Sequence, residues 1–241
     1  MNTQATLQLM QKIKLSGMAS CYEAIIDLPV SKQPGAHECI ATLVDAEIQN
    51  RSHKRTQMLL RLSKLRCTAS LQDITYNKDR HLQKEQIAAL ADCSFIDRSE
   101  NIFVTGPTGC GKSFLACALG NQACLMGYRT LYFNMNRFFE QLQVAKVDGT
   151  FIKWMNRIQR ANLIILDDFG LQPLDHSSRM AILQILEDRY ARGSTIIAAQ
   201  LPVKKWYEYL NDPTLADAIM DRLTAKGSTI ELKGQSLRKR S

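Results

Sequence analysis

The segment that most restricts how this chain can fold is Gly-Pro-Thr-Gly-Cys-Gly-Lys-Ser, at residues 106–113. It fits the pattern G-x-x-x-x-G-K-[ST], in which glycines let successive backbone N–H groups point inward at a polyphosphate. Lys112 would place its ammonium beside the β- and γ-phosphates, and Ser113 would offer a hydroxyl to Mg²⁺. The residues expected to contact the nucleotide are Gly106, Pro107, Thr108, Gly109, Cys110, Gly111, Lys112, Ser113 and Phe114.

The sequence on both sides of the loop supports this interpretation. The apolar run 101–105 predicts a buried strand, while 112–126 is rich in helix formers and precedes Gly127, a typical helix stop. A strand, a glycine loop and a helix in this order aim the amino end of the helix at a bound anion. The alternative is a glycine-rich turn that carries a lysine by chance, and these flanks disfavour it.

A second apolar run ends in two acids, Asp167 and Asp168. In nucleotide hydrolases with this loop, an aspartate at a strand end holds the Mg²⁺ shell, and Asp167 fits that position. Asp168 fits the position of the group that orients or deprotonates the attacking water. Many ATPases carry glutamate there, which is one methylene longer than aspartate. A strand capped by a polar turn is the alternative interpretation.

Length and charge limit the class of protein. The chain has 241 residues, enough for one α/β domain and a smaller appendage. A net charge of +8 favours an anionic partner, most often nucleic acid, although a basic enzyme without such a partner stays open. No apolar run approaches the roughly 20 residues of a membrane span, and the amino terminus lacks a signal pattern. We therefore expect a cytoplasmic protein with no membrane partner.

The cysteine spacing argues against metal or disulfide chemistry. None of the seven cysteines forms a C-x-x-C pair, and the four histidines are scattered. In a reducing compartment this pattern predicts free thiols and no zinc site.

The first 68 residues read as a separate all-helical domain, followed by a second domain over 69–241 that begins with a linker. Gly17 is expected to break the first apolar stripe, and 36–65 forms a long amphipathic segment. The second half of that segment is basic and contains no acid, so it predicts contact with nucleic acid or an acidic partner. A solvated helix face is the alternative. The candidate DNA-binding residues are Arg51, Lys54, Arg55, Arg61 and Lys64.

From residue 101 onward, predicted strands and helices alternate, which indicates a parallel sheet covered by helices on both faces. The predicted strands are 101–105, 129–134, 163–167, 194–199 and 228–232. The predicted helices are 112–126, 136–147, 150–160, 177–191, 203–210 and 214–224, with a further one at 81–91 before the first strand.

Two more polar residues could act on the nucleotide. Gln200 follows the strand 194–199, where its amide could orient the attacking water, or could simply cap a loop. Arg222 lies late in a predicted helix and could be supplied in trans to the γ-phosphate of a neighbouring subunit. A salt bridge to Asp217, Asp221 or Glu231 is its alternative role.

Together these segments resemble a known family. The blocks Leu-Ile-Ile-Leu-Asp-Asp-Phe-Gly-Leu-Gln-Pro-Leu-Asp and Ala-Ala-Gln-Leu-Pro-Val-Lys-Lys-Trp, and the segment Asp-Pro-Thr-Leu-Ala-Asp-Ala-Ile-Met-Asp-Arg-Leu, accompany the phosphate loop. In this order they resemble the IstB transposition helper ATPases, which are AAA+ proteins similar to the DnaC helicase loader. The resemblance covers nearly the whole chain.

The resemblance implies an ATPase that uses ATP and Mg²⁺, oligomerises on duplex DNA through ATP sites at subunit interfaces, and helps select target DNA. It also implies recruitment and stimulation of a separately encoded DDE-type transposase. It maps Gly111, Lys112 and Ser113 to the phosphate loop, Asp167 and Asp168 to the acidic strand end, Gln200 to the sensor, Arg222 to the arginine finger and Arg238 to a second sensor. Many relatives have Asn where Gln200 stands.

Two other functions stay open on the sequence. A replicative helicase loader similar to DnaC would share the fold and would bind a hexameric helicase instead of a transposase. A metabolic kinase with a phosphate loop would phosphorylate a small acceptor, and it would have no obvious use for the basic segment or for Arg222.

Overall fold

The computed structural model describes residues 2–76 and 80–237. By its internal contacts the chain divides into two compact units, 1–58 and 59–241. The boundary between the two domains that the sequence predicts lies near residue 68. The carboxyl end of the long third helix, from Leu59, therefore belongs to the second unit.

The first unit is helical throughout its regular elements, α1 (Thr3–Lys12), α2 (Ser16–Ile26) and the larger part of α3 (Ala36–Ser63). The expectation that Gly17 breaks a helix is wrong. Lys14, in the left-handed region at φ 63°, makes the turn between α1 and α2, while Gly17 lies inside α2. A Cβ on Gly17 would lie 2.5 Å from the Ala46 carbonyl oxygen of α3. Gly17 therefore serves the close crossing of two helices.

Glu47 of α3 holds the amino end of α2. Its carboxylate accepts hydrogen bonds from the backbone N–H groups of Gly17 (2.8 Å) and Met18 (3.2 Å). These are helix-terminal donors that the helix itself cannot satisfy. The guanidinium of Arg51 donates to the same carboxylate at 2.7 Å and lowers the pKa of Glu47.

The second unit alternates strands and helices as the sequence predicts. Its strands are β1 (Asn101–Thr105), β2 (Thr130–Asn134), β3 (Leu163–Phe169), β4 (Ser194–Ala199) and β5 (Gly227–Glu231). Its helices after α3 are α4 (Lys84–Ala91), α5 (Ser94–Asp97), α6 (Lys112–Leu125), α7 (Met135–Val147), α8 (Phe151–Gln159), α9 (His176–Arg189), α10 (Trp206–Leu210) and α11 (Pro213–Thr224).

Within the described residues, all strands pair in parallel in one sheet of order β2-β3-β4-β1-β5. Alternate residues of each central strand enter opposite cores, as the twofold period of a strand requires. In β3, for example, Ile165 belongs to the core under α6, and Ile164 to the core under α7 to α11. The predicted architecture, a parallel sheet flanked by helices after a helical amino-terminal region, is confirmed.

Most element limits differ from the prediction by one to three residues, and three of these differences stand out. β3 continues to Phe169 through a register shift after Leu166, which a run of apolar residues cannot reveal. The segment 203–210 is a 3₁₀ turn, Val203–Lys205, followed by the short α10. The helix expected from residue 81 begins at Lys84, because His81 has a left-handed φ of 53°.

All seven cysteines are free thiols in the structure, as the sequence predicts. None of the helices in 2–76 and 80–237 is both long enough and apolar enough to cross a bilayer.

Candidate nucleotide-binding site

The phosphate loop connects the carboxyl end of β1 to the amino end of α6. Gly106, Gly109 and Gly111 have φ values of 147°, 81° and 95°, in a region that side chains with a Cβ rarely adopt. The Lys112 ammonium turns back and donates to the Pro107 carbonyl oxygen at 2.8 Å. The loop is therefore shaped by the glycines that the motif requires.

The acid pair lies beside the first turn of α6. The Ser113 hydroxyl donates to Asp167 Oδ1 at 2.9 Å, and the Asp167 side chain is buried. Asp168 has a φ of 60° at the irregularity in β3, and its backbone N–H also donates to Asp167 Oδ1 at 2.9 Å. Such bulges often re-aim a side chain next to a functional site. Two adjacent acids can therefore face the loop instead of opposite sides of the sheet.

Two residues of β2 that the sequence analysis did not single out complete this cluster. The Tyr132 hydroxyl donates to Asp167 Oδ2 at 2.6 Å, and the Asn134 amide donates to Asp168 Oδ2 at 2.7 Å. Burial raises the pKa of Tyr132, so its hydroxyl stays protonated and remains a donor. β2 and β3 are neighbours in the sheet, which brings polar residues near the carboxyl end of β2 beside the acid pair. The sequence does not supply this strand order, so it gives no signal for the contact.

Two arginines outside the motifs also contact the site. Arg66 Nη1 lies 3.5 Å from Asp167 Oδ2 and 3.4 Å from Asp168 Oδ2. The Arg80 guanidinium donates to the carbonyl oxygens of Cys110 (2.7 Å) and Thr75 (2.9 Å) and so supports the phosphate loop. Both residues are far from the loop in sequence. Arg66 ends the basic run at 51–66, but no local pattern places either residue at the nucleotide site.

A cavity of about 290 Å³ opens between the loop, Asp168 and Gln200. Gln200 directly follows the carboxyl end of β4 and is exposed. The backbone N–H of Leu237 donates to the Gly109 carbonyl oxygen at 3.0 Å, so Leu237 contacts the loop. Arg238, the expected second sensor, lies outside the described residues. Of the expected nucleotide contacts, Thr108, Gly109, Gly111, Lys112, Ser113 and Phe114 line the cavity, whereas Gly106, Pro107 and Cys110 belong to the loop without lining it.

Arg222 lies at the opposite edge of the sheet. It sits in the last turn of α11, just before the amino end of β5, and its carbonyl oxygen accepts a bond from Asn101 at the start of β1. A five-residue strand spans roughly 16 Å, which separates Arg222 from the loop of its own chain. Its guanidinium lies 2.6 Å from Glu187 and 3.3 Å from Asp221. Of the three salt-bridge partners considered from the sequence, only Asp221 is among these contacts.

The candidate DNA-binding residues fall in both units. Within the first unit Arg51 pairs with Glu47, and the Lys54 ammonium donates to the Ser16 hydroxyl. Both side chains and that of Arg55 are exposed. Arg61 and Lys64, also exposed, belong to the second unit at and just beyond the end of α3.

The donor set suits a magnesium ion. Mg²⁺ prefers oxygen ligands and takes only one or two from protein, with phosphate oxygens completing its shell. The Ser113 hydroxyl and the buried Asp167 carboxylate already meet at 2.9 Å beside the phosphate loop. These two oxygens would hold the ion, and it would neutralise phosphate charge.

Comparison with known proteins agrees with this geometry. The family described as IstB-like ATP binding protein matches residues 8–241. A Sinorhizobium fredii protein that carries the name insertion sequence ATP-binding protein is 39% identical over 234 residues, which are 97% of this chain and 96% of that protein.

Solved structures share the fold. AMPPCP-bound DnaA from Aquifex aeolicus matches with a TM-score of 0.60 at 22% identity, over 73% of this chain and 53% of that one. The DnaC helicase loader matches with a TM-score of 0.56 at 19% identity, over 68% of this chain and 97% of that one. With the fold, the phosphate loop and a match over nearly its whole length, the chain belongs to the family of IstB-like ATP binding proteins.

Proposed function

We propose that this protein is an ATPase that regulates transposition: it assembles on duplex DNA, and ATP hydrolysis controls the assembly. One observation carries the proposal. Lys112, Ser113, Asp167, Asp168 and Gln200 gather at one edge of the sheet, while Arg222 lies at the other. In this proposal the first edge supplies the nucleotide-binding and catalytic residues of a hydrolytic site, and the second edge supplies its arginine. A neighbouring copy of the chain would bring its second edge to the first edge of this one.

Each residue of the gathered half has a distinct task. The loop N–H groups and Lys112 bind the β- and γ-phosphates, and Ser113 and Asp167 would hold the Mg²⁺ that would neutralise phosphate charge. Asp168 accepts a proton from, or orients, the attacking water, and Gln200 lies across the cavity where its amide can position the same water. Asn134 keeps the Asp168 carboxylate in place until the substrate arrives.

Arg222 supplies charge to the next subunit. A guanidinium aimed at a γ-phosphate from a neighbouring protomer stabilises the negative charge of the transition state. Bound ATP then stabilises the contact between two subunits, because its complete binding site contains residues from both. The ion pair with Glu187 holds the arginine in the isolated chain.

Duplex DNA is the proposed scaffold for the assembly. The net charge of +8 and the exposed Arg51, Lys54, Arg55, Arg61 and Lys64 favour a polyanion. Target DNA is selected by the assembled protein, which recruits and stimulates a DDE-type transposase in the cytoplasm. The relative from Sinorhizobium fredii is named for an insertion sequence and aligns over 97% of this chain, which supports a transposase as the partner rather than a replicative helicase.

The test measures ATP turnover of the purified protein with and without duplex DNA, followed by capture of partners. We expect duplex DNA to raise turnover several-fold and high salt to remove that increase, because phosphate contacts release counterions. The transposase from the same insertion sequence should be retained with ATP and DNA, and a replicative helicase should not. Turnover that ignores DNA but requires a small acceptor would replace this proposal with a kinase.

A further inference from the structure

We propose that Arg66 is a positioning residue that couples DNA binding to the acid pair of the ATP site. The inference rests on the proposed function, since it takes Asp167 as a magnesium ligand and duplex DNA as the partner. In this view Arg66 compensates the charge of Asp167 and Asp168 until a DNA phosphate draws the guanidinium away.

The position of Arg66 is fixed by its neighbours in the second unit. It follows α3, which ends at Ser63, and Lys64 turns the chain with a left-handed φ of 53°. Leu65 and Cys67, on either side of Arg66, pack against the core under α6. The backbone at Arg66 is thus anchored, while the side chain is 46% exposed. A fixed backbone with an exposed head group lets the guanidinium exchange one anion for another.

The contact between Arg66 and the acids is loose. Its nitrogen lies 3.4 Å and 3.5 Å from the two carboxylates, whereas tight guanidinium–carboxylate bonds measure about 2.7–2.9 Å. Asp167 is buried, and a buried carboxylate is costly without a nearby positive charge. Arg66 supplies that positive charge without a short hydrogen bond. The guanidinium can therefore move away when a divalent ion compensates the carboxylates instead.

Arg66 also lines a basic groove of about 530 Å³. Of the described residues that line it, Lys64, Arg66 and Arg137 are cationic, and none carries a carboxylate. Tyr132 and Asn134, which bond to the acid pair, also line the groove. A phosphate in this groove would meet three cations at once, so it competes directly with the acids for Arg66.

The coupling must act in both directions, because linkage between two binding sites is reciprocal. When a DNA phosphate holds Arg66, the negative charge of Asp167 and Asp168 is no longer compensated by the guanidinium. The affinity of the two acids for Mg²⁺ therefore rises. Magnesium on the acids repels Arg66 and frees it for DNA. The sign is therefore positive: each ligand strengthens the other.

The experiment titrates Mg²⁺ into the full chain with a fluorescent non-hydrolysable ATP analogue, with and without a short duplex DNA. In the wild type we expect DNA to lower the Mg²⁺ concentration at half-saturation by about tenfold, within the usual range of coupling between sites. Arg66→Ala should need less Mg²⁺ without DNA and should show almost no shift with it. Arg66→Lys, which keeps the charge but loses the planar fork, should keep part of the shift and guards against misfolding of the alanine variant.

The matched control is Arg192→Ala, an exposed arginine before β4 at the amino edge of the sheet, which should shift like the wild type. Arg66→Ala or Arg66→Lys with the full wild-type shift would overturn the inference. A wild-type protein that binds nucleotide and DNA without any shift would overturn it as well and would leave the proposed function standing. A wild-type protein that binds neither would overturn both.

Discussion

The contacts of Lys112 allow its role in ATP binding to be tested without a change in the fold. Its ammonium bonds to one carbonyl oxygen of the loop, and its side chain is largely buried. The glycine φ values, not this bond, set the shape of the loop. We expect Lys112→Ala to fold normally and to bind ATP at least about tenfold more weakly, since one charge on the β- and γ-phosphates is lost.

Equilibrium titration with a fluorescent ATP analogue measures that affinity, and Lys84→Ala, at the exposed start of α4, is the control for charge. An unchanged affinity in Lys112→Ala would count against the assignment of the loop.

Asp168 allows a sharper separation of binding from hydrolysis. Asparagine has nearly the same shape and cannot take a proton, while its oxygen can still accept the bond from Asn134. We therefore expect Asp168→Asn to bind ATP normally and to hydrolyse it about a hundredfold more slowly, the usual size of a general-base effect. Single-turnover measurement of phosphate release tests this. Normal release would mean that another group is the base.

The close crossing of α2 and α3 at Gly17 leads to a prediction about stability. A Cβ there would meet the backbone of α3 at Ala46 and Glu47, which cannot yield as a side chain does. Gly17→Ala should lower the midpoint of thermal unfolding of the helical unit and expose its amides to hydrogen exchange. Gly35→Ala is the matched control, because a Cβ at Gly35 has nothing within 4 Å. Equal behaviour of the two variants would refute the close crossing.

Arg189 of α9 ties two strands to a helix end. Its buried guanidinium donates to the carbonyl oxygens of Ile158, Ala161, Asn162 and Ser194, at 2.6 to 3.2 Å. Burial lowers the pKa of Arg189 to about 10. This value is still well above 7, so the guanidinium stays charged at neutral pH. Arg189→Leu leaves these carbonyls without their donor and should cost about 3–5 kcal/mol of unfolding free energy in urea. A loss below about 1 kcal/mol, as expected for exposed Arg192→Ala, would contradict this role.

These elements show where sequence reasoning succeeds. β1 and β4 match their predicted limits to the residue, because continuous apolar runs bounded by polar residues leave little choice. Gly17 was misjudged because a glycine that permits a close crossing looks the same in sequence as one that ends a helix. The left-handed backbone of Asp168 arises from pairing with β4, a tertiary effect that local propensity does not record.

The same limit applies to the site. The location of the loop, the acid pair and Gln200 at one edge of the sheet could be predicted, since each lies near or just after the carboxyl end of a strand. Arg66 and Arg80 could not, because they reach the site from segments that precede β1, and only the folded chain brings them near.

In the whole molecule, the parallel sheet separates the two halves of the proposed hydrolytic site. Every strand runs in the same direction, so residues after the strands and residues before them lie at opposite edges. The loop and acids lie at the first edge and Arg222 at the second. We therefore propose that one chain alone does not complete the site and that neighbouring copies on DNA share it.

Mixing two defective variants tests that claim most directly. Lys112→Ala keeps Arg222 but lacks a working loop, and Arg222→Ala keeps the loop but lacks the arginine. Each variant alone should hydrolyse ATP slowly on duplex DNA. An equal mixture should recover a substantial fraction of wild-type turnover, because loops of one variant then face arginines of the other. A mixture no faster than the average of the two separate variants would contradict a site shared between subunits.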